Sequence, residues 1–154
     1  MRVVRFLTVI ILGAVLCACG NKPAVHARLK DVDGKVFEFA DLKGKWVVLN
    51  YWASWCHPCT KEIPELNAFY EKYKDKSVAV FGVNYDQVSP DEVKSLMQKM
   101  AMHYPNLAGD PATVLGLGDI PGIPVTFIFN PQGQLVDKLM GEQTVKSLEA
   151  AVKV

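Results

Sequence analysis

No charge of one sign dominates this sequence of 154 residues: 17 lysines and arginines stand against 16 aspartates and glutamates, a net charge of +1. An electrostatic nucleic-acid binder would carry a basic excess gathered on one face, so that class is excluded and no nucleic-acid partner is expected. Long apolar runs are missing as well. The run Phe6 through Leu16 is eleven residues. As a helix it rises about 16 Å, short of the ~30 Å hydrocarbon core of a bilayer. There is no internal repeat and no low-complexity tract, and hydrophobic residues make up 50% of the chain. That is enough for one packed core and excludes global disorder. Histidine is scarce, at three, and cysteine is limited to four. Four cysteines in so short a chain suggest either two disulfides or one redox pair, and their positions decide which.

Two of them fall in the first nineteen residues. Arg2 and Arg5 form a positive stretch ahead of the apolar run, and no acidic residue appears before Asp31. This is the pattern of a secretory signal peptide rather than a permanent span. Its end, Leu16-Cys17-Ala18-Cys19, resembles the lipobox of bacterial lipoproteins, in which Leu stands three before a lipidated Cys and a small residue precedes that Cys. Cys17 departs from the commoner Ala, Ser or Thr, and an ordinary soluble cleavage product is the alternative. The resemblance implies a signal peptide over 1–18, a lipid on Cys19, a tether over 19–26 and a domain over 27–154. Two acyl chains or more anchor stably, because each buried CH₂ contributes about 0.8 kcal/mol. The protein would then sit in the bacterial cell envelope facing the periplasm, and Gly20 after the lipid site favours the outer over the inner membrane. Without Arg2 and Arg5 the mature chain has 15 basic against 16 acidic residues, a charge of −1.

Along the mature chain, Ala27–Val32 and Lys35–Phe39 flank Asp33-Gly34 and predict a small hairpin. Trp46–Trp52 is apolar on both faces, as a central strand should be. A helix is expected from about Cys56 or Pro58 to Tyr73, kinked at Pro64. A strand follows over Ser77–Val83, then a helix capped by Ser89-Pro90-Asp91-Glu92 with Val93, Leu96, Met97 and Met100 on one face. Asp110-Pro111 starts a shorter helix. Val125–Asn130 and Gln134–Leu139 pair around a turn, and Thr144 caps a last helix. Strands separated by helices predict an α/β fold: a central mixed sheet flanked by helices on both faces, with an N-terminal hairpin.

The remaining cysteines form Cys56-His57-Pro58-Cys59 at a strand-to-helix junction. A helix N-terminus carries unpaired N–H groups and roughly half a positive charge, which favours a thiolate on Cys56. The spacing sets Cys59 one turn in, more buried and close enough to close a disulfide. A purely structural bridge around two residues would add little stability. Zinc needs four ligands, yet there is no second C-x-x-C and His26 and His103 are isolated, so no metal is expected. Haem attachment requires His where Thr60 stands. Redox chemistry is the reading that survives, with the Cys56–Cys59 disulfide as the redox group and no other cofactor.

Val47 through Cys59, VVLNYWASWCHPC, resembles the active-site segment of thioredoxin-fold proteins. More narrowly it resembles the TlpA/ResA-like family of membrane-tethered thiol–disulfide oxidoreductases. The likeness continues through Glu62-Ile63-Pro64, Gly122-Ile123-Pro124-Val125-Thr126-Phe127, Asn130-Pro-Gln-Gly133 and Gly141, covering about residues 27–152. It implies a thioredoxin-like fold in which Pro124 is a cis proline facing the disulfide with Ile123 before it, in a loop offering backbone hydrogen bonds to substrate. From the residues alone, Pro124 is equally an edge-strand start, with Pro121 the other candidate. Glu62, one turn beyond Cys59, matches an active-site acid/base of related proteins. Ordinary thioredoxins instead bury an Asp where Asn50 stands, and Asn cannot accept a proton. The competing reading of Glu62 is an exposed first-turn acid favoured by the helix dipole. His57 and Pro58 form the dipeptide that tunes redox poise, although a solvated loop His is the plainer alternative. Trp55 is expected to shield the disulfide and Trp52 to lie in the core.

The resemblance implies a reductase of protein disulfides, resupplied by a membrane thiol-electron transporter, with cytochrome c maturation as one use. A DsbA-like oxidase or isomerase keeps the chemistry and reverses its direction. A copper-delivery module would resemble a C-x-x-x-C pair with a distant His, whereas here the spacing is two and the distant His is His103. Met97, Met100 and Met102 do not share one face on helical spacing, so core packing is the expectation for them. Peroxidase chemistry lacks its P-x-x-x-T-x-x-C setting. Gly116-Leu-Gly118-Asp-Ile-Pro121 lacks the third glycine of a dinucleotide fingerprint.

Overall fold

The computed structural model describes residues 26–154. The stretch expected to be a signal peptide, the expected lipid site Cys19 and all but His26 of the expected tether lie outside these residues. Among the described residues seven strands and four α-helices follow one another, with a 3-10 turn over Phe39–Leu42 after β2: β1 (Arg28–Lys30), β2 (Val36–Glu38), β3 (Trp46–Trp52), α1 (His57–Tyr73), β4 (Val78–Asn84), α2 (Pro90–Lys99), β5 (Asn106–Leu107), α3 (Ala112–Leu115), β6 (Val125–Phe129), β7 (Leu135–Met140) and α4 (Val145–Ala151). Strands β1 and β2 form a separate antiparallel hairpin, and the main sheet runs β5-β4-β3-β6-β7. β4 lies parallel to β3 and β5 parallel to β4, while β6 and β7 run antiparallel, which makes the sheet mixed.

β3 is the centre of this sheet, and its pleat sorts its side chains. Successive residues of a strand point to opposite faces. Val48 and Trp52 enter one core cluster, with Ile63, Leu66 and Phe69 of α1 and Leu148 of α4. Val47, Leu49 and Tyr51 enter the other, with Leu29, Phe39, Leu115 and Phe127. Asn50 falls between Val48 and Trp52, so the same alternation aims its carboxamide at α1. On β6, Ile128 belongs to the α1 cluster, which places Thr126 on that face also. Asn50 and Thr126 are register partners across the two strands, and both are fully buried.

Several local differences have plain causes. The hairpin is closed not by a two-residue turn but by Asp31, whose carboxylate accepts from the N–H groups of Asp33 and Lys35 at 3.0 and 2.8 Å, with Gly34 at φ 88°. The three longer helices all contribute to the α1 cluster, while the hairpin and the one-turn α3 help cover the opposite face. α1 runs unbroken past Pro64 for 17 residues. α2 ends at Lys99, so Met102 lies beyond it and helical spacing does not apply to it. Its N–H donates to the Met97 carbonyl at 2.9 Å, and Met97, Met100 and Met102 all pack in one cluster. β5, two residues long, carries no periodicity that a sequence pattern can show.

Candidate active site

β3 ends at Trp52, and after Ala53, Ser54 and Trp55 the chain reaches Cys56 and turns into α1. Cys56 is the N-cap, and its sulfur accepts the Cys59 N–H at 3.2 Å. One otherwise orphaned donor of the first turn is thus directed at sulfur, which favours negative charge there. His57 and Pro58 fill the first two helical positions, where a missing proline N–H costs nothing. Cys56 and Cys59 are joined in a disulfide with Cα atoms 5.3 Å apart. The exposures differ in the sense a redox pair needs: Cys56 is 5% exposed and Cys59 0%. His57 and Pro58 are both exposed.

Trp55, beside the pair, is 65% exposed and donates its indole N–H to Asp86 on the β4–α2 loop at 2.9 Å. It therefore stands at the rim of the site, tethered sideways. Trp52 is fully buried, and its indole N–H donates to Asn106 Oδ1 at 2.6 Å. That contact requires a glycine at position 82, because a Cβ there would run into the Asn106 carboxamide.

The Ile123–Pro124 peptide bond is cis. Pro124 is buried, and the half-buried Ile123 packs against the cluster that holds Cys56 and Cys59. The Pro124 carbonyl accepts the Gly141 N–H at 2.9 Å, which ties the start of β6 to the end of β7.

Glu62 is not an exposed first-turn acid. It is 1% exposed. Oε1 accepts from Asn50 Nδ2 at 2.8 Å and Oε2 from the Gln143 backbone N–H at 2.9 Å. Burial penalises the charged form and pushes this carboxyl from 4.5 up to about 7. The two hydrogen bonds pull it back down and the negative charge of Glu142 adds a smaller push upward. A carboxyl poised near neutrality both takes up and returns a proton under ordinary conditions. Glu62 and Cys59 lie on the same buried face of α1, one turn apart. Gln143, Glu142 and Asp86 are neighbours that sequence motifs did not single out, and Thr126 stood in the Gly122–Phe127 motif without a role. For Thr126 the strand alternation was a usable signal, but none pointed to a backbone N–H donated from 81 positions away.

Comparison with known proteins agrees with this geometry. The model of the AhpC/TSA family matches residues 21–138. The thiol-disulfide oxidoreductase ResA of a Bacillus cereus strain is 35% identical over 129 residues, 84% of this chain and 74% of its own. Among solved structures, a thiol:disulfide interchange protein of the thioredoxin family from Chlorobium tepidum TLS superposes with a TM-score of 0.73 at 29% identity, covering 85% of this chain and 93% of that one. StoA from Bacillus subtilis gives a TM-score of 0.67 at 26% identity, covering 83% and 98%.

Proposed function

Since the chain belongs to the AhpC/TSA family of thioredoxin-fold proteins, and within it is a thiol–disulfide oxidoreductase with a Cys56–Cys59 pair, we propose that it reduces protein disulfides outside the cytoplasm while tethered to a membrane through Cys19. The observation that carries the chemistry is the disulfide at the head of α1, its outer sulfur capping the helix and its inner sulfur fully buried.

In the reduced protein, the Cys56 thiolate attacks one sulfur of a substrate disulfide. A Cys56–substrate bond forms, and the other substrate sulfur leaves as a thiolate that picks up a proton. Cys59 then gives its proton to Glu62 and attacks the Cys56 sulfur. The Cys56–Cys59 bond forms, the mixed bond breaks, and the second substrate sulfur departs. Substrate gains two electrons and the pair loses two, to be restored by a membrane thiol-electron transporter. Trp55 and Ile123 offer apolar contact to the arriving chain, and Pro124 sets the backbone edge beside it. His57 and Pro58 adjust the poise of the pair. The likeness to a thiol-disulfide oxidoreductase and to a thiol:disulfide interchange protein supports thiol–disulfide exchange, and maturation of a cytochrome c is the use this reading favours.

A Cys59→Ser variant tests the order of attack. It should accumulate mixed disulfides through Cys56, visible as slow bands on non-reducing gels. If it traps no partner and wild type is equally inert toward protein disulfides, the reading fails.

A further inference from the structure

The proposed cycle leaves one buried group without a part. Asn50 Oδ1 is inaccessible and has no hydrogen-bond partner among the described residues, and the same holds for Asn84 Nδ2 and the Tyr104 hydroxyl. The Asn50 amide nitrogen, by contrast, makes two contacts, donating to Glu62 Oε1 at 2.8 Å and to Thr126 Oγ1 at 3.1 Å. A carboxamide with one end doubly occupied and the other end idle is suited to turning over.

The polarity around Glu62 says when it would turn. Oε2 faces the backbone N–H of Gln143, which donates only and cannot reverse. A proton taken up by Glu62 is therefore directed to Oε1, the oxygen that faces Asn50. An O–H of the acid would then meet an N–H of the amide, two donors at hydrogen-bond distance. Half a turn of the carboxamide removes the conflict. Oδ1 then accepts from the Glu62 O–H, and it accepts equally from Thr126, whose hydroxyl is able to donate as well as accept. The two Asn50 contacts, to Glu62 and to Thr126, are thus remade with reversed polarity in the acid form, the Gln143 contact stays as it is, and the amide nitrogen takes the place where Oδ1 had no partner. A buried aspartate at position 50 would instead add a second titrating group.

We propose that Asn50 is a positioning residue that reads the charge of Glu62: its carboxamide donates to the carboxylate, turns over when the acid forms, and is reset each cycle with the Thr126 hydroxyl as its pivot. This rests on Glu62 gaining and losing a proton during turnover. Because Thr126 is the second residue after Pro124, the turn links the protonation of Glu62 to the strand that carries the cis-proline loop. The other groups facing Glu62 are Glu142 on the β7–α4 connection and Tyr104 ahead of β5, whose hydroxyl burial and the Glu62 charge both push upward. On α1 itself, Glu65 is engaged elsewhere, accepting the Val145 N–H at 2.8 Å.

The test uses the full chain with its disulfide intact, so that neither cysteine titrates. The Glu62 carboxyl carbon and the Asn50 side-chain amide are followed together by NMR across neutral pH. The expected result is an Asn50 amide resonance that moves with the same midpoint as Glu62 and becomes independent of pH in Glu62→Gln. An Asn50 resonance unmoved through the Glu62 midpoint overturns the inference. Thr126→Val adds a second reading. It leaves the second amide hydrogen unpaired in the carboxylate form, whereas after the turn Oδ1 still accepts from the acid. If the amide turns, Glu62 binds its proton at least about threefold more tightly in Thr126→Val, and Thr126→Ser restores it. If the amide is fixed, the hydrogen is unpaired in both forms and the midpoint stays put. The acid–base reading is judged separately, by whether Glu62→Gln slows attack by Cys59. A turning amide with unaltered Cys59 kinetics sinks that reading and keeps this one, and a static amide with slowed kinetics does the reverse.

Discussion

Replacing Glu62 by Gln changes how the stability of the protein depends on pH, by an amount the structure sets. Gln keeps the shape and an oxygen acceptor for the Gln143 N–H, and removes the titration. In the folded protein the carboxyl lies at about 7, against an ordinary 4.5. The folded state thus binds this proton more tightly than the unfolded chain, by about 3 kcal/mol at 1.36 kcal/mol for each pH unit. The sign follows from linkage. Between the two values the folded state holds more protons, so stability falls as pH rises. The contribution is complete below about pH 4.5 and is lost as pH rises through about 7. Urea unfolding of the disulfide-intact protein at about pH 4 and about pH 8.5 measures it. Wild type should lose about 3 kcal/mol more than Glu62→Gln across that interval. Parallel losses in the two proteins would mean that Glu62 is not held as a buried, raised acid, and the proton-transfer role would lose its physical basis.

The two cysteines should differ sharply when each is left alone. In Cys59→Ser the remaining Cys56, at the helix head, should alkylate at least about tenfold faster at neutral pH than the fully buried Cys59 in Cys56→Ser; equal rates would contradict the division into attacking and resolving thiols. Gly82→Ala should cost about 2 kcal/mol or more, because its Cβ displaces the Asn106 carboxamide that holds the Trp52 indole at 2.6 Å. Gly109→Ala, which meets nothing within 4 Å, is the control expected to change the urea midpoint little.

How much of this was legible before the structure depends on how local each signal is. β3 was readable because seven successive residues suit a strand buried on both faces, and α1 because a strand runs into C-x-x-C with Pro58 in the first turn. Thr144 was readable as a cap for the same local reason, and it accepts the Ser147 N–H at 3.2 Å. β5 was not, since two residues become a strand only by docking on Gly82 and Val83. The site divides the same way. Spacing put Glu62 on the side of Cys59, but its weakened acidity comes from burial, and the groups that hold it there, Asn50 and Gln143, lie 12 and 81 positions away in the chain. Trp55 likewise donates to a residue 31 positions away, Asp86 on the β4–α2 loop.

The central claim is that Cys56 and Cys59 act as a reducing pair, and the most direct measurement is their redox state in intact cells. Rapid acid quenching followed by alkylation with a mass-shifting reagent traps thiols as they stand. The expected result is a pair found mostly as dithiol, with the Cys59→Ser variant held in mixed disulfides. A pair found mostly as the disulfide in growing cells would contradict reduction and turn the direction of electron flow around.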